Sequence, residues 1–259
     1  MLSDQATTQP SVTSLRYTPG ERQGRWRETL LLARYHMQLL NWWLLLLVTL
    51  GFLAAGFLVW LPLHAGGAQA QSQAVELSRF ILEPGAGLLA AMLASSLIVN
   101  DPALEVALAT RAGVARVTLW RGLLTFCALL LGSAAFLGWT LSQGVNYAPQ
   151  RSWLALLMLW LAPTLVMGTL GLLGALLTRN AALGVVIAVI PLAASLFLYP
   201  KFVTIPQTHP FLISYTASGG QDASDWWINR LTLLGVAVVI ALWNGWLLRR
   251  EERLLSSGQ

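Results

Sequence analysis

Charge is what this chain has least of. Charged residues make up 10% of the 259 and hydrophobic ones 56%, with a mean hydropathy of +0.63. A soluble domain carries about 25% charged residues, so a water-facing surface cannot be assembled here and the chain reads as an integral membrane protein. Lysine is nearly absent: Lys201 is the sole one, and it follows Pro200. The Gly-Lys-Ser/Thr of a phosphate-binding P-loop is therefore missing, and no ATP site of that type is expected on this chain. A single cysteine, Cys127, excludes an intrachain disulfide and a cysteine-based metal cluster. His36, His64 and His209 lie far apart with no H-E-x-x-H spacing, and no Gly-x-Ser-x-Gly elbow occurs, so neither metalloprotease nor hydrolase chemistry is signalled and no metal is expected.

Long apolar runs take the place of these signals. Windows free of formal charge occupy 39–61, 84–99, 122–150, 152–178, 180–200 and 231–248. About 20 apolar residues cross the hydrocarbon core, and the windows predict six spans at 40–62, 81–100, 119–141, 153–177, 181–199 and 229–248. Arg230 and Arg249 are expected to snorkel at the ends of the last. The expected fold class is all-α and polytopic, with an interfacial helix before the first span. Ala68-Gln69-Ala70 has the form of a signal-peptidase site. However, the first run begins only at residue 39 and exceeds a signal core of about 7–15 residues, so it is read as a span. Residues 202–221 also lack formal charge but contain Pro206, Pro210, Gly219 and Gly220. We read them as an ordered external segment, partly re-entrant and shielded from lipid by protein.

The basic residues orient these spans. Arg16, Arg22, Arg25, Arg27, Arg34, Arg111, Arg116, Arg179, Arg249, Arg250 and Arg253 fall on one side, joined by Arg121 snorkelling from the third span. Arg79, Arg151, Lys201 and Arg230 fall on the other. Lys and Arg gather in cytoplasmic loops, so both termini are expected in the cytoplasm. The net charge of +5 thus marks orientation, and no nucleic-acid partner is implied. Residues 1–23 are a polar, aperiodic tail, 24–250 the membrane domain, and 251–259 a second tail. Within 24–38, Trp26, Leu30, Ala33 and Met37 form one helical stripe, with Arg25, Arg27 and Arg34 off it. Such a helix can rest in the membrane interface with its arginines near lipid phosphates.

Small residues and prolines punctuate the spans. Gly168, Gly171 and Gly174 recur at every third position, and Gly85, Ala90, Ala94 and Ser95 are spaced less regularly. They permit close helix approach, and packing within the subunit is the reading we prefer to a dedicated dimer motif. Pro163 and Pro191 are expected to bend their helices. Ionisable groups inside the spans are so few that a proton-coupled carrier or ion channel is disfavoured. Glu83, before Pro84-Gly85 at the mouth of the second span, is a candidate external gate, although a carboxylate facing water is the plainer reading.

A membrane body without its own energy source directs attention to the loop at 101–118, DPALEVALATRAGVARVT. Asp101 and Pro102 suit the start of a short helix, with the acid at its positive end. Leu104 and Leu108 flank Glu105, and Arg111 and Arg116 follow Thr110. This small apolar helix with one carboxylate could dock into a groove of a soluble partner.

At these residues the chain resembles the ABC-2 type transporter permeases. Their loop between the second and third spans reads approximately Pro-Leu-Glu-Leu-Leu-Leu-Ala-Thr-Pro-Val-Ser-Arg. Pro102, Leu104 (or Ala103), Glu105, Leu108, Ala109, Thr110 and Arg116 fit it. Arg111 stands where the family usually has Pro, and Gly113-Val114-Ala115 where it has Val-Ser. The likeness extends over most of 24–250. It implies the transmembrane subunit of an exporter in a bacterial cytoplasmic membrane, paired with itself or a sibling permease. Power would come from a separate ATP-binding subunit that carries the ATP and Mg. The interfacial helix and the segment around Glu105 would face that ATPase, and no residue of this chain would be catalytic. Nearly charge-free spans favour an amphiphilic or hydrophobic cargo. Two other readings stand beside this one. One is a lipid-modifying membrane enzyme using Asp101 with Glu105, or Asp222 with Asp225; the other is a non-transporting scaffold or immunity factor.

Overall fold

The computed structural model describes residues 42–66, 69–97, 114–147, 152–217 and 223–256. The regular structure among these residues is helical, with no strand among them. The long helices are α1 (Trp42–Ala65), α2 (Ala70–Phe80), α3 (Ala86–Ser95), α4 (Val114–Ser142), α5 (Trp153–Thr178), α6 (Ala181–Phe197) and α7 (Ala223–Ser256). A π-helical turn, Ile81–Gly85, joins α2 to α3. Between α6 and α7 lie one helical turn, Tyr199–Phe202, and a 3-10 helix, Pro206–Phe211. Among the described residues five helical stretches are long and apolar enough to cross a membrane: 46–65, 70–95, 118–142, 153–178 and 224–250. At about 1.5 Å per residue, the 17 residues of α6 reach about 26 Å, short of a 30 Å hydrocarbon core.

Element ends follow local chemistry. Ser152 caps α5 by accepting from the Ala155 amide (3.1 Å), and Asn180 caps α6 by accepting from Ala182 (2.9 Å) and Leu183 (3.3 Å). Arg179, at φ 54°, makes the left-handed turn between them. Gly144, at φ 80°, ends α4: its amide donates to Leu141 O and the Val145 amide to Thr140 O, the paired bonds of a Schellman cap.

Close approaches fix the helix directions. Gly87 abuts Pro163 and Met167, Gly168 abuts Ala90, and Gly171 abuts Ala91 and Ser95, so α3 and α5 run parallel. Gly132 faces Val48 and Phe52 while Gly56 faces Trp139, so α1 and α4 are parallel too. Gly174 meets Gly184 across the tight α5–α6 hairpin. Helices therefore alternate in direction along the chain. One end of the bundle gathers the end of α3, the start of α4, the Arg179 turn and the end of α7. The opposite end gathers the end of α4, the starts of α2, α5 and α7, and the segment at 199–217.

The glycine stripe of α5 is spent inside the chain, on α3 and α6. A Cβ at Gly171 would come within 2.6 Å of the Ala91 carbonyl oxygen, and one at Gly184 within 2.7 Å of the Gly171 oxygen. Packing, rather than hydrophobic transfer, drives association among lipid-immersed helices, and these contacts supply it. Pro163 and Pro191 are accommodated within continuous helices. The second span departs furthest from expectation. Helix begins at Ala70, not near 81, because Ala70–Phe80 continues through the π turn without a break and carries Gln71, Gln73 and Glu76 on exposed positions.

Gly171→Val is expected to lower stability by about 3 kcal/mol through overpacking. Gly235→Ala, where a Cβ would meet nothing within 4 Å, should be neutral or stabilising by up to about 1 kcal/mol. Thermal unfolding of the two variants in one detergent checks the contrast.

Candidate functional site

Pro84 creates the site. It has no amide hydrogen, and its ring crowds the carbonyl four residues back, so the ordinary helical bond at this position cannot form. The helix widens instead, and the Ala86 amide donates to Ile81 O, five residues back. Such π turns re-aim side chains and often mark functional positions. Here the turn carries Glu83 inward, where it is fully buried.

Three donors meet the carboxylate. Arg230 Nη2 from α7 forms a buried ion pair with Glu83 Oε1. The Thr216 amide donates to the same oxygen at 3.1 Å, and the Ala217 amide donates to Oε2. The Thr216 hydroxyl accepts from Arg230 Nη2 (2.7 Å) and from Trp226 Nε1 (2.9 Å). The guanidinium lies 5.3 Å from the centroid of the Trp226 ring, a cation–π contact that strengthens when water is excluded. Arg79, one helical turn before Glu83 and largely buried, is within electrostatic reach of that carboxylate.

The same end of the bundle pins the irregular backbone between α6 and α7. Asn229 Nδ2 donates to His209 O (2.8 Å) and Leu212 O (2.9 Å). His209 places Nδ1 3.1 Å from Asp225 Oδ2 and Nε2 3.1 Å from Val203 O. Both partners are acceptors, so the doubly protonated imidazolium satisfies both at once. Ser214 shares a hydroxyl bond of 2.9 Å with Ser195 of α6. Residues 212–216 are buried throughout, and non-helical backbone survives in a membrane protein only where protein covers it. Beside this, Tyr147 bonds Thr140 (2.7 Å), and burial pushes its phenol up, keeping it neutral.

Two expectations are corrected here. Glu83 does not face water, because the π turn points it into the bundle where Arg230 and two amides meet it. Arg230 does not snorkel; it is fully buried, since the carboxylate and the Thr216 hydroxyl lie nearer than any surface. Arg121 is also largely buried, 7% exposed. Ionisable groups are thus embedded in the long helices, more than the apolar windows imply.

Other sequence candidates are not brought to this site. Asp101, Pro102, Leu104, Glu105, Leu108, Thr110 and Arg111, and the interfacial set Arg25, Trp26, Arg27 and Arg34, lie outside the described residues. Arg116 falls in the first turn of α4, at the opposite end of the bundle. Asp222 is also outside the described residues, and Asp225 is engaged by His209. Sequence reasoning missed Arg79, Thr216, Trp226 and the partnership of Arg230. Glu83-Pro84 was the available signal for a distorted helix, but nothing local links two residues 147 apart.

The chemistry available is binding and clamping. Both Glu83 oxygens are committed to donors of this chain. Among the described residues no group of three or more His, Cys, Asp or Glu could hold a metal ion.

Removing one partner of a buried ion pair strands the other. Glu83→Met and Arg230→Met are each expected to cost about 3–5 kcal/mol, while the double variant Glu83→Met/Arg230→Met should lose less than the sum. A double-mutant cycle of thermal stability measures the coupling; additive losses would contradict the pairing.

No family model matches the chain, and no curated protein or solved structure matches it either.

Proposed function

We propose that the chain is the transmembrane permease subunit of an ATP-driven ABC-2 type exporter, moving an amphiphilic or hydrophobic cargo across a bacterial cytoplasmic membrane. The reading has six spans, α6 with its following turn being the fifth, and both termini in the cytoplasm. A second permease copy or sibling completes the pathway, and a separate ATP-binding subunit supplies the energy. In this scheme residues 101–118, with Glu105 at their centre, receive the motion of the ATPase. The Glu83–Arg230 network belongs to the far end, as an external gate.

One observation carries the proposal. The end of α3 and the start of α4, which flank the permease-like pattern in the sequence, lie at the same end of the bundle as the Arg179 turn and Arg249-Arg250 of α7. At the opposite end, Arg79 and Arg230 are buried and Lys201 is exposed. Among the described residues, exposed basic charge thus concentrates where a cytoplasmic coupling loop would need to emerge. The capped 199–217 segment at the other end supports an outward-facing closure.

The test is affinity purification from native membranes in mild detergent, with mass spectrometry of bound proteins. A stoichiometric ATPase bearing a Walker A motif is expected, and Glu105→Arg should weaken its retention at least about tenfold, as a charge reversal in a docked interface would. Purification of the chain without any ATPase overturns the proposal.

A further inference from the structure

The contact between His209 and Asp225 has a consequence that does not rest on the exporter reading. The 3-10 helix Pro206–Phe211 packs against α7 and the helical turn Tyr199–Phe202. Its one ionisable side chain, His209, reaches towards both. Nδ1 lies 3.1 Å from Oδ2 of Asp225, in the first turn of α7, and Nε2 lies 3.1 Å from the carbonyl oxygen of Val203, the residue after the turn. The ring is therefore a bridge between two pieces of backbone and the start of a long helix.

Charge decides whether that bridge can be made. A neutral imidazole has one N–H and one bare nitrogen. In either tautomer it donates to one of these two acceptors and turns a lone pair towards the other. The imidazolium donates to both, and its bond to the carboxylate is charge-assisted. A lysine or arginine would hold the contact at every physiological pH, whereas an imidazole changes charge between about pH 5 and 8. The ring is 12% exposed and the Asp225 side chain 38%, so the pair is shielded but open to proton exchange with water. The elements around the ring carry few other charged or titratable groups. Arg230 is held by Glu83, Lys201 is exposed, Tyr199 stands on the helical turn, and the Tyr215 ring lies 5.8 Å from the imidazole. Asp222 precedes α7 and lies outside the described residues.

We infer that His209 and Asp225 form a proton-operated latch: the doubly protonated ring fastens the 3-10 helix to the start of α7, and loss of one proton loosens it. The fastened arrangement binds the second proton more tightly than the loosened one, in which water replaces both acceptors. Closure is therefore strongest below the imidazole range and weakens as pH rises through it. The effect reaches beyond the ring, because Asn229 of α7 holds the carbonyls of His209 and Leu212, and Leu212 opens the buried stretch 212–216. In the orientation proposed above, the latch reads the pH outside the membrane.

The test uses the full chain in lipid nanodiscs at about pH 5.5 and about pH 9, on either side of the imidazole range. Ring nitrogen NMR of histidine-labelled protein, with His209 assigned by its loss in His209→Gln, should show two protonated nitrogens at the lower pH and one at the higher. The amides of Thr208 and Leu212 bond Ile205 O and His209 O within this segment. Their exchange protection, corrected for intrinsic rates, should fall about tenfold across the rise, the low end for a hydrogen bond to a charged group. Amides of 168–174 should not respond. His209→Gln should make protection of Thr208 and Leu212 equal at the two pH values. Asp225→Asn keeps an acceptor and removes the charge; it should lower the pH at which protection is lost by about one unit, and it serves where His209→Gln unfolds. A singly protonated His209 ring at the lower pH overturns the proposal. So does wild-type protection that ignores pH, or a pH response that both substitutions leave unchanged.

Discussion

A carboxylate with no water to solvate it must find its donors in the protein, and the Glu83 end of this bundle is arranged around that requirement. Desolvating an unpaired carboxylate costs several kcal/mol or more. The Glu83 oxygens recover this from Arg230 on α7 and from two amides of the 199–217 segment. Three parts of the chain are thereby tied together: the π turn that Pro84 forces, the start of α7, and a stretch of backbone that forms no long helix. Thr216 is the junction, since its amide serves the acid while its hydroxyl receives the base and the Trp226 indole. Releasing any one member exposes the needs of the others, which suits a closure that is either fully made or fully broken.

The rest of the bundle is held by a different force. Around α5, glycines and alanines remove side-chain bulk so that backbones of α3 and α6 come close, and dispersion replaces the hydrophobic effect that lipid abolishes. Those contacts run through Gly168, Gly171, Gly174 and Gly184 and need no charge. Between α3, α4 and α5 a half-open apolar pocket remains, lined by Ala90, Ala94, Gly122 and Gly168 among others. Rigid small-residue packing and a polar clamp thus divide the structure between them. α3 and α5, which run parallel and in close contact, join the Arg179 end to the Glu83 end.

Much of this was legible in the sequence, for physical reasons that also mark the boundary of what was not. Apolar runs locate helices because backbone groups in lipid must be satisfied within the helix, and the predicted 153–177 differs from the observed Trp153–Thr178 by one residue. The glycine spacing in the same helix announced close packing, and its partners proved to lie within the chain. Prolines in 202–221 argued against another span, and the described part holds only short helical turns with buried residues after them. Hydropathy misplaced the start of the second span, because it scores polarity and not helix continuity. Ala70–Phe80 is polar yet helical. It also treated Glu83 and Arg230 as span ends, since two charges that cancel in space look like two separate charges in sequence.

The account rests on the carboxylate holding the 199–217 backbone in place, and amide hydrogen exchange at Thr216 and Ala217 reads this directly. In nanodisc-embedded protein these amides should be strongly protected, and Glu83→Gln should accelerate their exchange by about two orders of magnitude, matching an opening made easier by about 3 kcal/mol. Amides of 168–174 in α5 should remain unchanged. Equal exchange at Thr216 and Ala217 in the two proteins would show that the segment is held by something other than Glu83, and the central claim would fall.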